Sequence, residues 1–233
     1  MYSFVDYRIT CEEFSNLIKE GVIPIKLPKS PLLYEAINGH VDIQLNILDK
    51  KSKLIVVHKD IDTNFLNILK NYSINFIFSE SSLDSKYPKD IILNALITDE
   101  ILMHNLKYTD KSILNNSQNK LNLNVSQGYT KCSVVNIYDK AFITSDKIIY
   151  NTLVKSGYDT LFVPPGDIIL EGLDYGFIGG TCGMIGKNKL AFFGNLNKYK
   201  YGKEVLSFLE KHNVIPIFLK DSKLIDRGSI LSI

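Results

Sequence analysis

Short apolar runs recur along this chain at intervals of roughly 40 to 55 residues, each bounded by turn-forming residues. Five of these runs end in a turn of small, polar or proline residues, as in YDTLFVPPGD. They begin at Gly21, Ser73, Leu121, Tyr158 and Asn213. Because self-similarity at a fixed period is the signature of repeated structural units, the pattern predicts five similar units.

A hairpin follows each of these runs in the predicted pattern. The first hairpin strands are HVDIQLNIL, KDIILNALI, KCSVVNIYD, GFIGGTCGMI and GSILSI, which start at His40, Lys89, Lys131, Gly176 and Gly228. Four second strands are SKLIVVHK, DEILMHN, KAFITSDK and NKLAFFGN, and the fifth is the N-terminal YSFVDYRIT. The last unit is therefore shared between the two ends of the chain, and we expect a ring that closes through both termini.

Helical spacing of apolar residues occurs after each hairpin. It predicts helices within residues 10–20, 63–70, 147–155 and 202–212, and a more polar one within 108–120. Each unit then reads strand, strand, helix, strand. A doubly wound sheet alternates single strands with helices and a sandwich lacks helices, so we expect an α/β ring of five ββαβ units. Residues 1–233 are predicted to form one domain.

Composition, charge and the absence of known motifs exclude several classes of function. The chain has 233 residues, 45% of them hydrophobic, but no apolar run near the ~20 residues that cross a bilayer. A net charge of +2 offers no footprint for nucleic acid or an anionic membrane. Without a secretory signal we expect a cytoplasmic protein, in which Cys11, Cys132 and Cys182 are free thiols. Phosphate-loop, dinucleotide and zinc-helix motifs are absent from the sequence.

Three short motifs resemble those of the guanidino-group-modifying (pentein) superfamily, which has a five-unit propeller fold. GHVD at 39–42 is similar to the motif that supplies a catalytic histidine and a guanidinium-binding aspartate, here His40 and Asp42. QGYTKCS at 127–133 resembles the segment that holds the cysteine nucleophile, here Cys132. LDYGF at 173–177 resembles the motif of a second guanidinium-binding carboxylate, here Asp174.

The spacing of these residues fits the repeat. Asp42 and Cys132 are 90 residues apart, or two units, and Cys132 and Asp174 are 42 apart, or one. The superfamily's cyclic order of Asp, His and Cys is kept, although its cysteine normally comes near the C-terminus. The resemblance thus implies a permuted ring.

The chemistry implied by the resemblance is that of a cysteine-dependent hydrolase, deiminase- or dimethylargininase-like, or an amidinotransferase. A guanidinium is a planar cationic fork of N–H donors, which two carboxylates such as Asp42 and Asp174 suit. Cys132 would attack its carbon to form an amidino-cysteine, and His40 would serve first as acid and then as base. The expected ligand is a small guanidino or amidino compound, and no metal or organic cofactor is needed. A homodimer is left open.

Structural interpretations of the same residues stand beside this one. Cys132 precedes an apolar strand and could be a core residue, while His40, Asp42 and Asp174 could simply belong to turns. The alternatives are a non-catalytic pentein scaffold, like the ribosome anti-association translation factor, and a guanidine-binding protein without turnover.

Residues outside the three motifs are expected to be structural. Asp90 and Asp226 are interpreted as turn carboxylates, and Arg227 as the partner of Asp226 or its neighbours. Cys182 is expected to pack in a strand, and Cys11 to begin a capped helix.

Overall fold

Five three-stranded sheets make up the architecture of the computed structural model, which describes residues 1–138 and 140–233. The strands are β1 (Tyr2–Val5), β2 (Ile23–Lys26), β3 (Leu45–Asp49), β4 (Leu54–Val57), β5 (Asn75–Phe78), β6 (Leu96–Ile97), β7 (Ile101–His104), β8 (Leu121–Asn124), β9 (Val134–Ile137), β10 (Ala141–Thr144), β11 (Asp159–Phe162), β12 (Cys182–Met184), β13 (Lys189–Phe192), β14 (Ile215–Phe218) and β15 (Leu231–Ser232). The helices are α1 (Cys11–Lys19), α2 (Val41–Gln44), α3 (Thr63–Asn71), α4 (Lys111–Asn115), α5 (Thr130–Ser133), α6 (Lys147–Lys155) and α7 (Gly202–Lys211).

Every sheet has the same topology. Its middle strand pairs antiparallel with the first strand of the unit and parallel with the third, as β4 does with β3 and β5. A helix joins the middle strand to the third strand, which is the crossover that a parallel pair requires. In the remaining unit β15 pairs with β1, with Ser3 opposite Ser232, so both ends of the chain complete one sheet. The predicted five-unit ring and its closure through the termini are confirmed.

Side-chain caps fix where the crossover helices begin. Thr10 forms a capping box with Glu13 at α1, and aspartates 62, 110 and 146 accept backbone N–H groups at the starts of α3, α4 and α6. The buried face of each helix then packs toward its sheet, as Phe65 and Leu69 do in α3. Local sequence and tertiary burial therefore specify the same elements.

Two features of the predicted pattern are wrong in detail. The first hairpin strands begin later than His40, Lys131 and Gly176, because the residues ahead of them form α2, α5 and the 3-10 turn Gly179–Thr181. The helix predicted within 108–120 is only α4, since the Asn and Ser side chains that follow it favour turns over helix. The last residue of the KCSVVNIYD run, Asp139, lies outside the described residues.

The early turns have a functional consequence, because they lie at the same end of the first strands β3, β9 and β12. Side chains from two of these turns meet, because the Cys132 thiol of α5 donates to Asp42 of α2. Within the described part of the chain, no helix is long and apolar enough to cross a membrane.

Candidate active site

A cavity of about 260 Å³ opens at this end of the ring. Buried polar groups from different units form its interior, and half-buried or exposed aromatic and apolar side chains form its entrance. Its lining residues are Tyr34, Ile37, His40, Ile43, Tyr129, Cys132, Leu170, Leu173, Asp174, Tyr175, Phe177 and Asp226. Of the residues predicted from motifs, His40, Cys132 and Asp174 line this one cavity.

Cys132 lies in α5 and is 2% exposed. Its thiol donates to Asp42 Oδ1 at 3.1 Å and accepts from Asn94 Nδ2 at 3.1 Å. Asn94 also accepts from the backbone N–H of Cys132 at 3.2 Å, so one amide side chain orients both ends of the residue. Burial, the charges of Asp42 and Asp226 and the bond to Asp42 raise the pKa of Cys132 well above its ordinary value. The resting thiol is therefore protonated at neutral pH.

His40 is buried at 1% exposure, and neither ring nitrogen has a hydrogen-bond partner among the described residues. Its Nδ1 lies 3.9 Å from Asp226 Oδ1, which is close enough for attraction but too long for a hydrogen bond. Gly228 packs directly against it with φ of +68°, and a Cβ there would lie 2.3 Å from the His40 Cβ. Buried polar groups are normally paired, so this unpartnered imidazole indicates a place for a ligand.

Asp42 is completely buried behind Cys132. Besides the thiol, it accepts a hydrogen bond from Ser229 Oγ at 2.5 Å through Oδ2. Ser229 has φ of +70°, an uncommon conformation for a residue with a side chain. Backbone strain of this kind clusters at functional sites.

Asp226 is the buried carboxylate of the cavity, whereas Asp174 is exposed at its entrance. Asp226 accepts from the backbone N–H groups of Phe177 at 2.8 Å and Gly228 at 2.9 Å. Burial raises its pKa, which the neighbouring His40 opposes and Asp42 reinforces. A Cβ at Gly180 would lie 2.0 Å from Asp226 Oδ1, so only glycine allows this carboxylate its position.

Aromatic side chains surround the entrance. Tyr129 and Phe177 stack with ring centroids 6.0 Å apart. The hydroxyl of Tyr129 donates to Asp90, a carboxylate whose pKa burial raises. This hydrogen bond holds Tyr129, which forms one wall of the cavity, and a structural role for Asp90 stays a prediction.

The donor atoms of His40, Asp42 and Cys132 all lie within 4.8 Å of one another. Imidazole, carboxylate and thiolate are ligands that zinc accepts, so the same trio could hold a single metal ion. The thiol would have to lose its proton first, which its raised pKa opposes.

Residues outside the motifs divide into those that sequence reasoning placed and those that it missed. Cys11 is the exposed first residue of α1, and Cys182 is buried in β12, both as expected. Arg227 was expected to pair with Asp226 or its neighbours, and its Nε lies 3.5 Å from Glu13 Oε1. The position of Asp226 beside His40 was missed, although the two are one repeat apart, 47 residues, when counted through the termini.

Two further residues of the site were missed, and neither left a signal in the sequence. Asn94 holds Cys132, and Ser229 holds Asp42, but each comes from a run that reads only as a strand.

Comparison with known proteins agrees with the fold. No curated protein sequence matches the chain. Among solved structures, the amidinotransferase SxtG of the saxitoxin biosynthetic pathway from Microseira wollei has a TM-score of 0.56 at 7% identity, covering 97% of this chain and 89% of that one. Inosamine-phosphate amidinotransferase StrB1 from Streptomyces griseus has a TM-score of 0.54 at 13% identity, covering 94% and 77%.

These structural similarities confirm the resemblance to the pentein superfamily at the level of the fold. The model of a family of unknown function, DUF6873, matches residues 4–231. The chain therefore belongs to that family, and its fold is that of the guanidino-group-modifying proteins.

Proposed function

We propose that this protein modifies a small guanidino compound through a covalent amidino-cysteine on Cys132, with His40 as acid and base. The observation that carries the proposal is the arrangement of the buried trio. A thiol, an unpartnered imidazole and a carboxylate have donor atoms within 4.8 Å of one another, at a cavity that opens to the surface. Nucleophile and base within reach of each other form the constellation that covalent catalysis requires.

The charges of the cavity favour a cation. Asp226 and Asp174 line it, and Asp42 lies immediately behind the thiol. None of the described lining residues is lysine or arginine. A guanidinium offers N–H donors to the carboxylates and a positive charge that compensates their burial. We propose that Asp42 and Asp226 bind it in the interior and that Asp174 attracts it at the entrance.

The raised pKa of Cys132 makes activation depend on the substrate. An arriving guanidinium places a positive charge beside the sulfur, which stabilises the thiolate, and the thiol proton passes to His40. The Sγ–C bond then forms, the bond from that carbon to the departing nitrogen breaks, and the His40 imidazolium protonates the leaving amine. His40, now neutral, takes a proton from water or from an acceptor amine that attacks the carbon, and Cys132 leaves as the thiolate.

The lining of the same cavity also limits which chemical groups the rest of the substrate can carry. Tyr34, Tyr129 and Phe177 offer aromatic surface, and the described lining residues include no lysine or arginine that could bind a carboxylate. We therefore propose an alkyl- or arylguanidine without an acidic group. Phenethylguanidine and its 4-carboxy derivative test this point. The compound without the carboxylate is expected to have the higher kcat/KM, by about tenfold or more.

Product analysis tests the function itself. The purified protein is incubated with phenethylguanidine, with and without an excess of a primary amine, and products are identified by mass spectrometry. A urea with released ammonia, or free phenethylamine with urea, indicates hydrolysis, and an amidinated acceptor indicates transfer. Saturable binding without any product would instead favour a guanidine-binding protein, an alternative to which the raised pKa of Cys132 also lends support.

The broader expectations from the sequence are retained as proposals. Residues 1–233 act as one domain in the cytoplasm, on a small guanidino compound. The covalent route above needs neither a metal nor an organic cofactor.

A further inference from the structure

A second cavity, of about 410 Å³, lies between the first strands of the five units. Residues of β3, β6, β9, β12 and β15 all contribute to its wall, so it follows the axis of the ring. Lys50, Tyr138 and Lys187 are exposed at its mouth, whereas Cys182 and Ile230 are buried in its interior. Because Cys132 precedes β9 and Tyr138 follows it, this mouth is at the opposite end of the first strands from the candidate active site.

Lys131 provides a positive charge in this axial cavity. Its side chain is half-buried, and Nζ lies 3.1 Å from Ser229 Oγ. Among the described residues it forms no ion pair. The charged residues lining the cavity are Lys50, Lys131 and Lys187 against Asp99. The ammonium reaches a carboxylate, Asp42, only through the Ser229 hydroxyl and has no direct ion-pair partner in the described chain, so the net positive lining of the cavity favours an anion.

Two amide oxygens give the cavity a second property. Asn46 uses Nδ2 to donate to Leu93 O at 2.8 Å and Ala95 O at 2.7 Å, which leaves its Oδ1 as an acceptor. Asn136 Oδ1 is buried and has no hydrogen-bond partner in the part of the chain that the structure describes. Both side chains line the cavity. A ligand that pairs with them must carry a hydrogen-bond donor as well as a negative charge.

The remaining wall is apolar. Leu96, Met184 and Ile230 line the cavity between the polar groups. A volume of this size suits a small organic molecule better than a bare inorganic ion. The ligand that satisfies all three properties has a carboxylate, an adjacent hydroxyl or ammonium donor, and an apolar body.

We propose that the axial cavity is a binding site for a small 2-hydroxy- or 2-amino-carboxylate with an apolar side chain. Lys131 binds the carboxylate, and Asn46 and Asn136 accept from the donor group. This site is separate from the one assigned to guanidine chemistry and does not depend on it.

The two sites share one chain of contacts. Lys131 contacts Ser229, Ser229 donates to Asp42, and Asp42 accepts from the Cys132 thiol. A carboxylate that draws the Lys131 ammonium toward itself acts on the first member of this chain.

Binding is tested by amide NMR titration of the Cys132→Ser protein. This variant carries out no guanidine reaction, so the titration reports on the axial cavity even if the proposed enzyme activity is wrong. The probes are 2-hydroxy-4-methylpentanoate, its amide, and 4-methylpentanoate, which lacks the hydroxyl. We expect saturable binding of the hydroxy acid, about fivefold weaker binding of the plain acid, and at least tenfold weaker binding of the amide.

Two variants locate the site, and one serves as the control. Lys131→Met removes the cation, and Asn136→Asp places a negative charge in the wall without removing the lysine. Each is expected to weaken binding of the hydroxy acid at least tenfold, whereas Lys155→Met, which changes an exposed lysine of α6, leaves it unchanged. No saturable binding, equal binding of the amide, or binding that survives both cavity variants would overturn the proposal.

Discussion

The two ends of the ring axis carry opposite chemistry on the same set of strands. Where the first strands begin, His40 and Cys132 meet the carboxylates Asp42 and Asp226 in a cavity without lysine or arginine among its described lining residues. Along the axis from there, the second cavity is lined by Lys131, by the lysines of its mouth at the far end of the strands, and by amide and apolar side chains. The strands supply only a frame, and the residues before and after them decide which ligand each end can attract.

Ser229 is where the two ends meet. It donates to Asp42 on one side and contacts Lys131 on the other. Its carboxylate and ammonium neighbours are therefore kept apart by a single hydroxyl, which allows an acidic site and a basic one to lie close together.

The largest expected effect is the loss of guanidine turnover when the nucleophile is removed, which changes only one end of the ring. Cys132→Ser should lower guanidine turnover by at least about 10³-fold, because serine is a far weaker nucleophile at neutral pH. Steady-state product formation measures it, and Cys11→Ser, which changes the exposed thiol of α1, should match the wild type. Turnover that survives Cys132→Ser would contradict the assignment of the nucleophile.

The next effect concerns the position of His40. Gly228→Ala would place a Cβ 2.3 Å from the His40 Cβ, so the imidazole must move and turnover should fall by about 10²-fold. Gly157→Ala is the matched control, since Gly157 has a similar φ of +86° but no atom within 4 Å of the added Cβ. Both variants should lose about 1–2 kcal/mol of unfolding free energy from the positive φ, and Gly228→Ala should lose about 1–3 kcal/mol more from its clash with His40, as measured by denaturation. Equal turnover in the two would contradict a role for His40 in the reaction.

A third prediction uses the pKa of Cys132. Because burial and then the charge of Asp42 raise this pKa, the wild-type thiol should react slowly with neutral iodoacetamide, at a rate that still rises with pH above the ordinary thiol pKa of about 8.5. Asp42→Asn removes the negative charge and lowers the pKa, so alkylation near pH 8 should become severalfold faster.

Turnover should change in the opposite direction in the same variant. Asp42→Asn also removes a partner of the guanidinium, and a loss of about 10²-fold is expected. Alkylation and turnover that rise together would show that Asp42 only suppresses the thiol.

The smallest effect tests the connection between the two ends. Ser229→Ala leaves Asp42 Oδ2 and Lys131 Nζ without their shared hydroxyl, which should cost about 1–3 kcal/mol of unfolding free energy. Turnover should fall about threefold to tenfold, while binding in the axial cavity stays within about twofold. Ser207→Ala, at an exposed position of α7, is the control for loss of a hydroxyl. Turnover unchanged by Ser229→Ala would mean that the contact does not support Asp42.

Repetition explains why the fold could be predicted from the sequence. Each unit repeats the same order of apolar runs, and capping residues such as Thr10 and Asp146 mark helix starts independently of the packing. The short helices α2 and α5 were predicted as strand, because four apolar or polar residues carry too little periodicity to distinguish the two.

The candidate site could be predicted only where a motif carried it. His40, Asp42 and Cys132 lie in recognisable motifs, and the structure brings them together. Asp226, Asn94 and Ser229 reach the site through contacts between units that are distant in sequence, and Asp226 does so only because the ring closes. No local pattern encodes such contacts, which depend on how the five units assemble.

Intact-protein mass spectrometry after treatment with 2-chloroacetamidine tests the central claim most directly. This reagent carries an amidinium, a planar cation that mimics a guanidinium, and it alkylates a thiol that the cation has activated. The account predicts one label on Cys132 in folded wild-type protein, formed faster than with neutral 2-chloroacetamide and lost in Cys132→Ser. Absent labelling, or labelling spread over Cys11 and Cys182 in the folded protein, would contradict it.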